Sequence, residues 1–168
     1  MDKYAIRTAT VDDVELIQDI AARVWPQTYS TIISSEQIYY MLDMMYSAAS
    51  LREQMTAKNC EFIIVSSTER SFGFASFSPL NNEIFRLHKL YVDVATQGLG
   101  LGKMLLEEVE RRCGERGGAL LELNVNKYNK AKTFYEKNGF AIFREEVIDI
   151  GNGFVMDDFV MRKSLLAL

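Results

Sequence analysis

Leu90-Tyr91-Val92-Asp93-Val94-Ala95-Thr96-Gln97-Gly98-Leu99-Gly100-Leu101-Gly102-Lys103 is the stretch on which the reading of this chain turns. Apolar residues lead in as a strand, three glycines follow within five positions, and Lys103 enters a run with helical spacing. Glycines let backbone N–H groups converge and a ligand approach closely, and a helix N-terminus carries about half a positive charge. Together they suit an anion such as a pyrophosphate, although a plain strand-to-helix turn reads the same way. Spacing removes three nucleotide codes. The P-loop pattern needs glycine at 97 and Ser or Thr at 104, where Gln97 and Met104 stand. A G-x-G-x-x-G code beginning at Gly98 needs glycine where Lys103 stands. A kinase loop needs downstream partners that are missing. The spacing that fits is Q/R-x-x-G-x-G/A, as Gln97-x-x-Gly100-x-Gly102.

Outward from this loop, the pattern predicts one element after another. Tyr4 to Arg7 reads as a short strand, and Thr10-Val11-Asp12-Asp13 as a capping box ahead of Ile17, Ile20, Ala21 and Val24 at helical spacing. Ser34-Ser35-Glu36-Gln37 opens a second amphipathic helix through Ile38, Met41, Leu42 and Met45, and a shorter helix is expected over Ser50 to Ala57. Glu61 to Ser66 and Phe72 to Ser78 form a hairpin around Glu69-Arg70, and Ile84 to Val92 is a third strand. Past the glycines, Met104, Leu105, Val109 and Cys113 share one helix face that ends near Gly114 to Gly118. Leu121, Leu123 and Val125 alternate as a strand, Asn129 to Asn138 is a short helix stopped by Gly139, and two strands, Phe140 to Ile148 and Phe154 to Met161, meet near Gly151-Asn152-Gly153. The order β-α-α-β-β-β-α-β-α-β-β describes one α/β domain over residues 1–168. Its sheet is mixed with helices on both faces, and two strand–helix–strand units make the second half partly parallel.

Composition narrows the function. Lys and Arg number 19 against 23 Asp and Glu, a net charge of -4, which disfavours a phosphate-backbone binder; nucleic acid is not an expected partner. One histidine, His88, and two distant cysteines, Cys60 and Cys113, assemble neither a His/Cys zinc site nor a disulfide framework, so no metal is expected. Met1-Asp2-Lys3-Tyr4 carries an acid and no apolar h-region, and no segment approaches the ~20 apolar residues of a membrane span. A cytoplasmic chain away from membranes is the expectation.

The glycine pattern, preceded by Leu90-Tyr91-Val92 and followed by Asn129-x-Ala131-x-x-Phe134-Tyr135-x-x-Asn138-Gly139-Phe140, resembles the GCN5-related N-acetyltransferase (GNAT) superfamily. Motif identity covers roughly residues 86–103 and 123–140, and the element order extends the likeness over the chain. The resemblance implies the GNAT fold: a mixed, mostly antiparallel sheet with a central parallel, splayed strand pair. It also implies acetyl-CoA as co-substrate and direct transfer of acetyl to a primary amine, of a small molecule or a peptide, in a ternary complex. A coenzyme A-binding sensor with little catalysis is the alternative. Monomer and homodimer are both open.

Residue by residue, the likeness implies that the backbone of Leu90, Tyr91 and Val92 bonds the acetyl carbonyl and the pantetheine arm. The N–H groups of Gln97, Gly98, Leu99, Gly100, Leu101 and Gly102, with Lys103, would hold the pyrophosphate. Asn129 would cap its helix and touch the cofactor arm. Tyr135 would face the sulfur, and a phenol of pKa about 10 can protonate a leaving thiolate of about 8.5; a core aromatic paired with Phe134 is the plainer reading. Cys113 falls on an apolar helix face and neither cysteine has a histidine partner in sequence, which argues against a cysteine-linked route.

The departure from the family concerns the base. Many members carry a glutamate on the strand before the Leu-Tyr-Val segment, whereas here Phe85-Arg86-Leu87-His88-Lys89 has no carboxylate. His88 can accept the proton, directly or through water, or can be a satisfied sheet histidine. Glu83 is the weaker candidate. In the last hairpin, Val155-Met156-Asp157-Asp158-Phe159-Val160-Met161 flanks two acids with apolar residues, which places a carboxylate near buried surface. Length and position there are similar to the polyamine-acetylating, PaiA-like branch, so Asp157, Asp158 and Glu146 would suit a cationic amine. Solvated hairpin charges are the competing reading. On the substrate side the likeness points to the helices around Trp25, Tyr29 and Tyr39. Tyr39-Tyr40 with Trp25 can line an aromatic pocket, though such spacing is commonly core.

Overall fold

The structure, a computed structural model, describes residues 3–166; Met1 and Asp2, part of the expected start without a secretion signal, lie outside the described residues. In chain order the elements are β1 (Ala5–Thr8), α1 (Val14–Tyr29), α2 (Ser35–Tyr46), α3 (Ala48–Thr56), β2 (Glu61–Ser66), β3 (Ser71–Pro79), β4 (Ile84–Val92), α4 (Leu101–Glu115), β5 (Leu120–Asn126), α5 (Ala131–Lys137), β6 (Ala141–Gly151) and β7 (Phe154–Ser164). The strands form a seven-stranded sheet in the order β1-β2-β3-β4-β5-β7-β6. The pairings β1·β2, β2·β3, β5·β7 and β6·β7 are antiparallel, and β4·β5 is parallel. That is the mixed, mostly antiparallel architecture expected from the sequence.

Backbone contacts divide the chain into two compact units, one up to Ser78 together with His88–Val109, the other comprising Pro79–Leu87 and the chain from Glu110 on. In the first unit, α1 buries Val14, Ile17, Ile20, Ala21, Val24 and Trp25, a stripe at helical spacing. The capping box at Thr10 is present, with the Thr10 side chain accepting from the Asp12 N–H and the Asp13 carboxylate accepting from the Thr10 N–H. It opens a 3-10 turn, Val11–Asp13, from which α1 continues. Strands β2 and β3 are buried on both faces: Phe62, Ile63, Ile64, Val65, Phe74, Ala75 and Phe77 are each at most 1% exposed. Helix α3 begins two residues earlier than Ser50, because Ser47 supplies an N-cap by accepting from the Ser50 N–H at 3.2 Å.

In the second unit the four-pair register of β4 with β5, from Ile84↔Leu120 to Leu87↔Leu123, is the parallel contact made possible by the α4 crossover. The second expected strand–helix–strand unit, β5-α5-β6, keeps its strands parallel in direction but not adjacent. β6 lies beyond β7 and bonds to it rather than to β5, since a tight turn with Gly151, Asn152 and Gly153 all at positive φ makes β6 and β7 a hairpin. Helix α5 starts at Ala131, later than Asn129, and Gly139 follows it at φ +94, the left-handed residue that ends a helix.

Candidate functional site

The glycine loop grows out of a well-bonded base in the first unit. The Asp93 N–H donates to the Phe72 carbonyl at 2.7 Å, tying the end of β4 to β3. A 3-10 turn over Val94–Thr96 follows, and the N–H groups of Gln97 and Leu99 donate back to Val94 and Thr96 at 3.2 and 3.3 Å. Gly98 and Gly100 adopt φ +89 and +78, and a Cβ at either would meet nothing within 4 Å. The chain therefore uses glycine there for conformation, beside open space. Leu101 is 1% exposed and anchors the first turn of α4, whose initial N–H groups have no acceptor within the helix. Gly102 is half-buried, and Gln97, Leu99 and Lys103 are exposed, Lys103 with its ammonium 3.8 Å from Glu107. An exposed glycine run, a 15-residue helix at its head and open space at the glycines fit a diphosphate.

Upstream, Leu90, Tyr91 and Val92 are half-buried at the end of β4. The Tyr91 hydroxyl bonds that of Tyr29 at 2.9 Å, and both rings lie against Trp25, with centroids 5.6 and 4.5 Å away. Trp25 itself is 2% exposed and donates to the Tyr46 hydroxyl at 3.3 Å. Its indole is thus core, supporting Tyr29 and Tyr91, and it offers no surface of its own. Tyr40 is half-buried and Tyr39 is exposed on α2. His88 is exposed on β4, its Nε2 2.6 Å from the Ser78 hydroxyl. Neighbouring Lys89 points inward at 9% exposure. Its ammonium donates to Gln54 Oε1 at 2.6 Å, and burial draws it down to about 8.

The second unit holds the acids. Asp158 is 2% exposed, and burial, with Glu146 and Asp157 nearby, pushes its carboxyl above the usual range, against the opposing pull of Asn124 and Arg86. The expectation of one carboxylate near buried surface is met by Asp158; Asp157 is half-buried, 2.9 Å from the Lys127 ammonium. Asn124 on β5 joins these groups. Its Oδ1 accepts from Arg86, so its Nδ2 faces Glu146 Oε2 at 3.0 Å and Asp158 Oδ2 at 3.3 Å. Arg86 also lies 3.4 Å from Glu122, a 3% exposed carboxylate held at 2.9 Å by Arg162. Tyr135 is 7% exposed between the Phe134 and Phe140 rings. Asn129 Oδ1 accepts from the Ala131 N–H at 2.9 Å; it makes the turn into α5, while Lys130 occupies the cap position. Among the described residues no group of three His, Cys, Asp or Glu side chains is placed to hold a metal ion, and no helix is long and apolar enough to cross a membrane.

Sequence reasoning passed over Lys89, Asn124, Glu122 and Ser78. The signal for three of them was alternation. In Phe85-Arg86-Leu87-His88-Lys89 it sets Lys89 in phase with Phe85 and Leu87. In Leu121-Glu122-Leu123-Asn124-Val125 it sets Glu122 and Asn124 together, opposite the leucines. Ser78 carried no signal, because its partner comes from the next strand.

A family model described as an acetyltransferase (GNAT) domain matches residues 30–163. The chain belongs to the GNAT acetyltransferase family. It is an acyl-CoA-dependent N-acetyltransferase, and the likeness seen in its two motif blocks is upheld. The spermidine N(1)-acetyltransferase of Thermoplasma acidophilum is 28% identical over 157 residues, covering 90% of this chain and 94% of that protein. An N-acetyltransferase of Mycobacterium tuberculosis is 26% identical over 155 residues, 92% of this chain and 99% of its own. Among solved structures, the PaiA N-acetyltransferase of Thermoplasma acidophilum in complex with coenzyme A superposes with a TM-score of 0.82 at 27% identity, covering 98% and 99% of the two chains. The fold of this GNAT enzyme is thus matched end to end.

Proposed function

We propose that this enzyme acetylates a primary amine of a polyamine, with acetyl-CoA as donor. The observation that carries the acceptor class is Asp158, a 2% exposed carboxylate on the last hairpin, bridged through Asn124 to Glu146. A buried acid that shares one amide with a half-buried one favours a cation as ligand over solvent-facing hairpin charges. The 28% identity to a spermidine acetyltransferase supports the same class.

The donor's thioester supplies the acetyl group. In this reading the N–H groups of Gly98, Gly100, Leu101 and Gly102 and the Lys103 ammonium hold its diphosphate, those of Gln97 and Leu99 being bonded within the turn; the backbone of Leu90 to Val92 orients the acetyl carbonyl, and Asn129 lies along the arm. Tyr135 gives its phenolic proton to the departing sulfur. His88, exposed and seated on Ser78, takes the proton from the acceptor ammonium. Without such a base, keeping an amine of pKa about 10.4 neutral at pH 7 costs about 4–5 kcal/mol. Asp157, Asp158 and Glu146 hold the remaining positive charge of the acceptor.

Thiol release from acetyl-CoA, followed across spermidine, spermine, putrescine, aminoglycosides, amino acids and N-terminal peptides, tests the reading. Polyamines should have the highest kcat/KM. Asp158→Asn should raise the polyamine KM about tenfold with the acetyl-CoA KM unchanged. Coenzyme A binding without thiol release on any amine would instead mark a binding module. The lack of a glutamate on β4 is the observation behind that second reading.

A further inference from the structure

An acidic side chain sits at the root of the glycine loop, where an anion site gains nothing from one. Asp93 is 9% exposed and makes bonds to the chain on both sides of it. Its N–H is held by Phe72 at 2.7 Å. Its carbonyl accepts from both the N–H and the hydroxyl of Thr96, at 2.9 and 2.7 Å, and its Oδ1 accepts from the Ala95 N–H at 3.3 Å. One residue thus closes the Val94–Thr96 turn from which Gly98 to Gly102 emerge. The glycines above it, Gly98 and Gly100, carry no side chain that could pack them in place, and the positions a Cβ would take are open for 4 Å. The geometry of their N–H groups is therefore inherited from the turn below.

A carboxylate close to a diphosphate opposes it by Coulomb repulsion. Two guanidinium groups meet Asp93 Oδ2, that of Arg23 from α1 at 3.7 Å and that of Arg70 from the β2–β3 turn at 3.6 Å. Both arginines are about half exposed, and Arg70 is steadied over the Phe72 ring at 4.7 Å. They are too distant to shape the turn as Thr96 and Ala95 do, and close enough to cancel its charge.

We propose that Asp93 is the positioning residue of the donor site, its hydrogen bonds setting the turn that presents the glycine loop, and that Arg23 and Arg70 neutralise it so that an anion is tolerated there. The inference rests on reading Gln97 to Lys103 as the acetyl-CoA diphosphate site. Asp93→Ala should raise the acetyl-CoA KM and the calorimetric Kd for coenzyme A about fivefold to tenfold, with kcat and the amine KM within about twofold. Asp93→Asn keeps an acceptor at Oδ1 and should restore most of that loss. Arg23→Gln with Arg70→Gln, both at exposed positions, should weaken coenzyme A binding at low salt, less so at high salt, and not at all when Asp93→Asn is added. An unchanged Kd in Asp93→Ala, or a fall in kcat and a rise in both KM values together, overturns the positioning role. Arginine variants whose effect survives Asp93→Asn overturn the neutralising role. A wild-type enzyme that binds no coenzyme A refutes the donor-site reading beneath it, which is a separate result.

Discussion

Lys89 is a cation set among apolar walls. Its ammonium lies 5.5 Å from the Tyr46 ring centroid and 5.7 Å from that of Phe62, and it donates to Gln54 Oε1. Gln54 is turned that way because its Nε2 already donates to the Met45 carbonyl and the Ser50 hydroxyl, at 2.8 and 3.0 Å. Burial lowers Lys89 from the ordinary 10.5 to about 8, so between those values the unfolded chain binds more protons and stability rises with pH. Below about 8 the whole penalty is present, of order 3 kcal/mol. Lys89→Met removes it and leaves Gln54 Oε1 without its donor, which costs about 1–3 kcal/mol in return. Urea denaturation should therefore show a mutant close to wild type or modestly more stable at pH 7, and should show the wild-type gain between pH 8 and 10 abolished. Parallel stability–pH curves for the two proteins would refute the buried-cation account. The inward direction of Lys89 was legible as strand alternation; the partner that makes burial tolerable was not, since Gln54 lies 35 residues earlier on a helix.

At the scale of elements, most boundaries followed from period and punctuation: β4 spans Ile84–Val92 as read, and α4 ends within two residues of Gly117, at φ +87. What the element order left open was pairing. β5, α5 and β6 look like a parallel unit in sequence, but β7 takes the place beside β5 with seven registered pairs, from Leu120↔Ser164 to Asn126↔Asp158. In that place β7 buries Val160 and Met161, each at 0%. Gly73 on β3 was equally silent, and the structure shows what it does. A Cβ there would stand 2.6 Å from the Tyr91 carbonyl oxygen and 3.1 Å from Val92 Cα, so β3 and β4 can close only over a glycine. Both neighbours are backbone, which cannot swing aside as a side chain can. Gly73→Ala should therefore destabilise the fold by about 1–3 kcal/mol and lower thiol release, because Tyr91 and Val92 lie in the segment assigned to the acetyl carbonyl. Gly114→Ala, with nothing within 4 Å, serves as the neutral control in the same thermal melts. Equal Tm values for the two variants would contradict the close approach of the strands.

For the whole molecule, the donor was legible and the acceptor was not, and the reason is how each is recognised. A diphosphate is held by backbone N–H groups close together in the chain, so the site proposed for it is a contiguous run of sequence, Gln97 to Lys103. Of the acids assigned to the acceptor, Glu146 on β6 and Asp158 on β7 are brought together by one amide, Asn124 on β5, and no spacing in the chain encodes that meeting. The same asymmetry predicts how the protein responds to its ligands. A ligand that binds only the folded chain stabilises it by about 2.7 kcal/mol at a hundredfold excess over Kd, and for a chain of 168 residues that corresponds to roughly 5–10 °C in Tm. Acetyl-CoA should produce a shift of that size alone, since its loop is preformed by the bonds of Asp93, Thr96 and Val94. A polyamine should shift Tm in a salt-sensitive way, because its contacts are charges with little apolar area. With a chain already at net charge -4, some of that shift is nonspecific, and Asp158→Asn separates the parts. The specific component should vanish in the variant while the acetyl-CoA shift is kept. A polyamine shift identical in wild type and Asp158→Asn would remove the last hairpin from the acceptor site and leave the donor assignment standing.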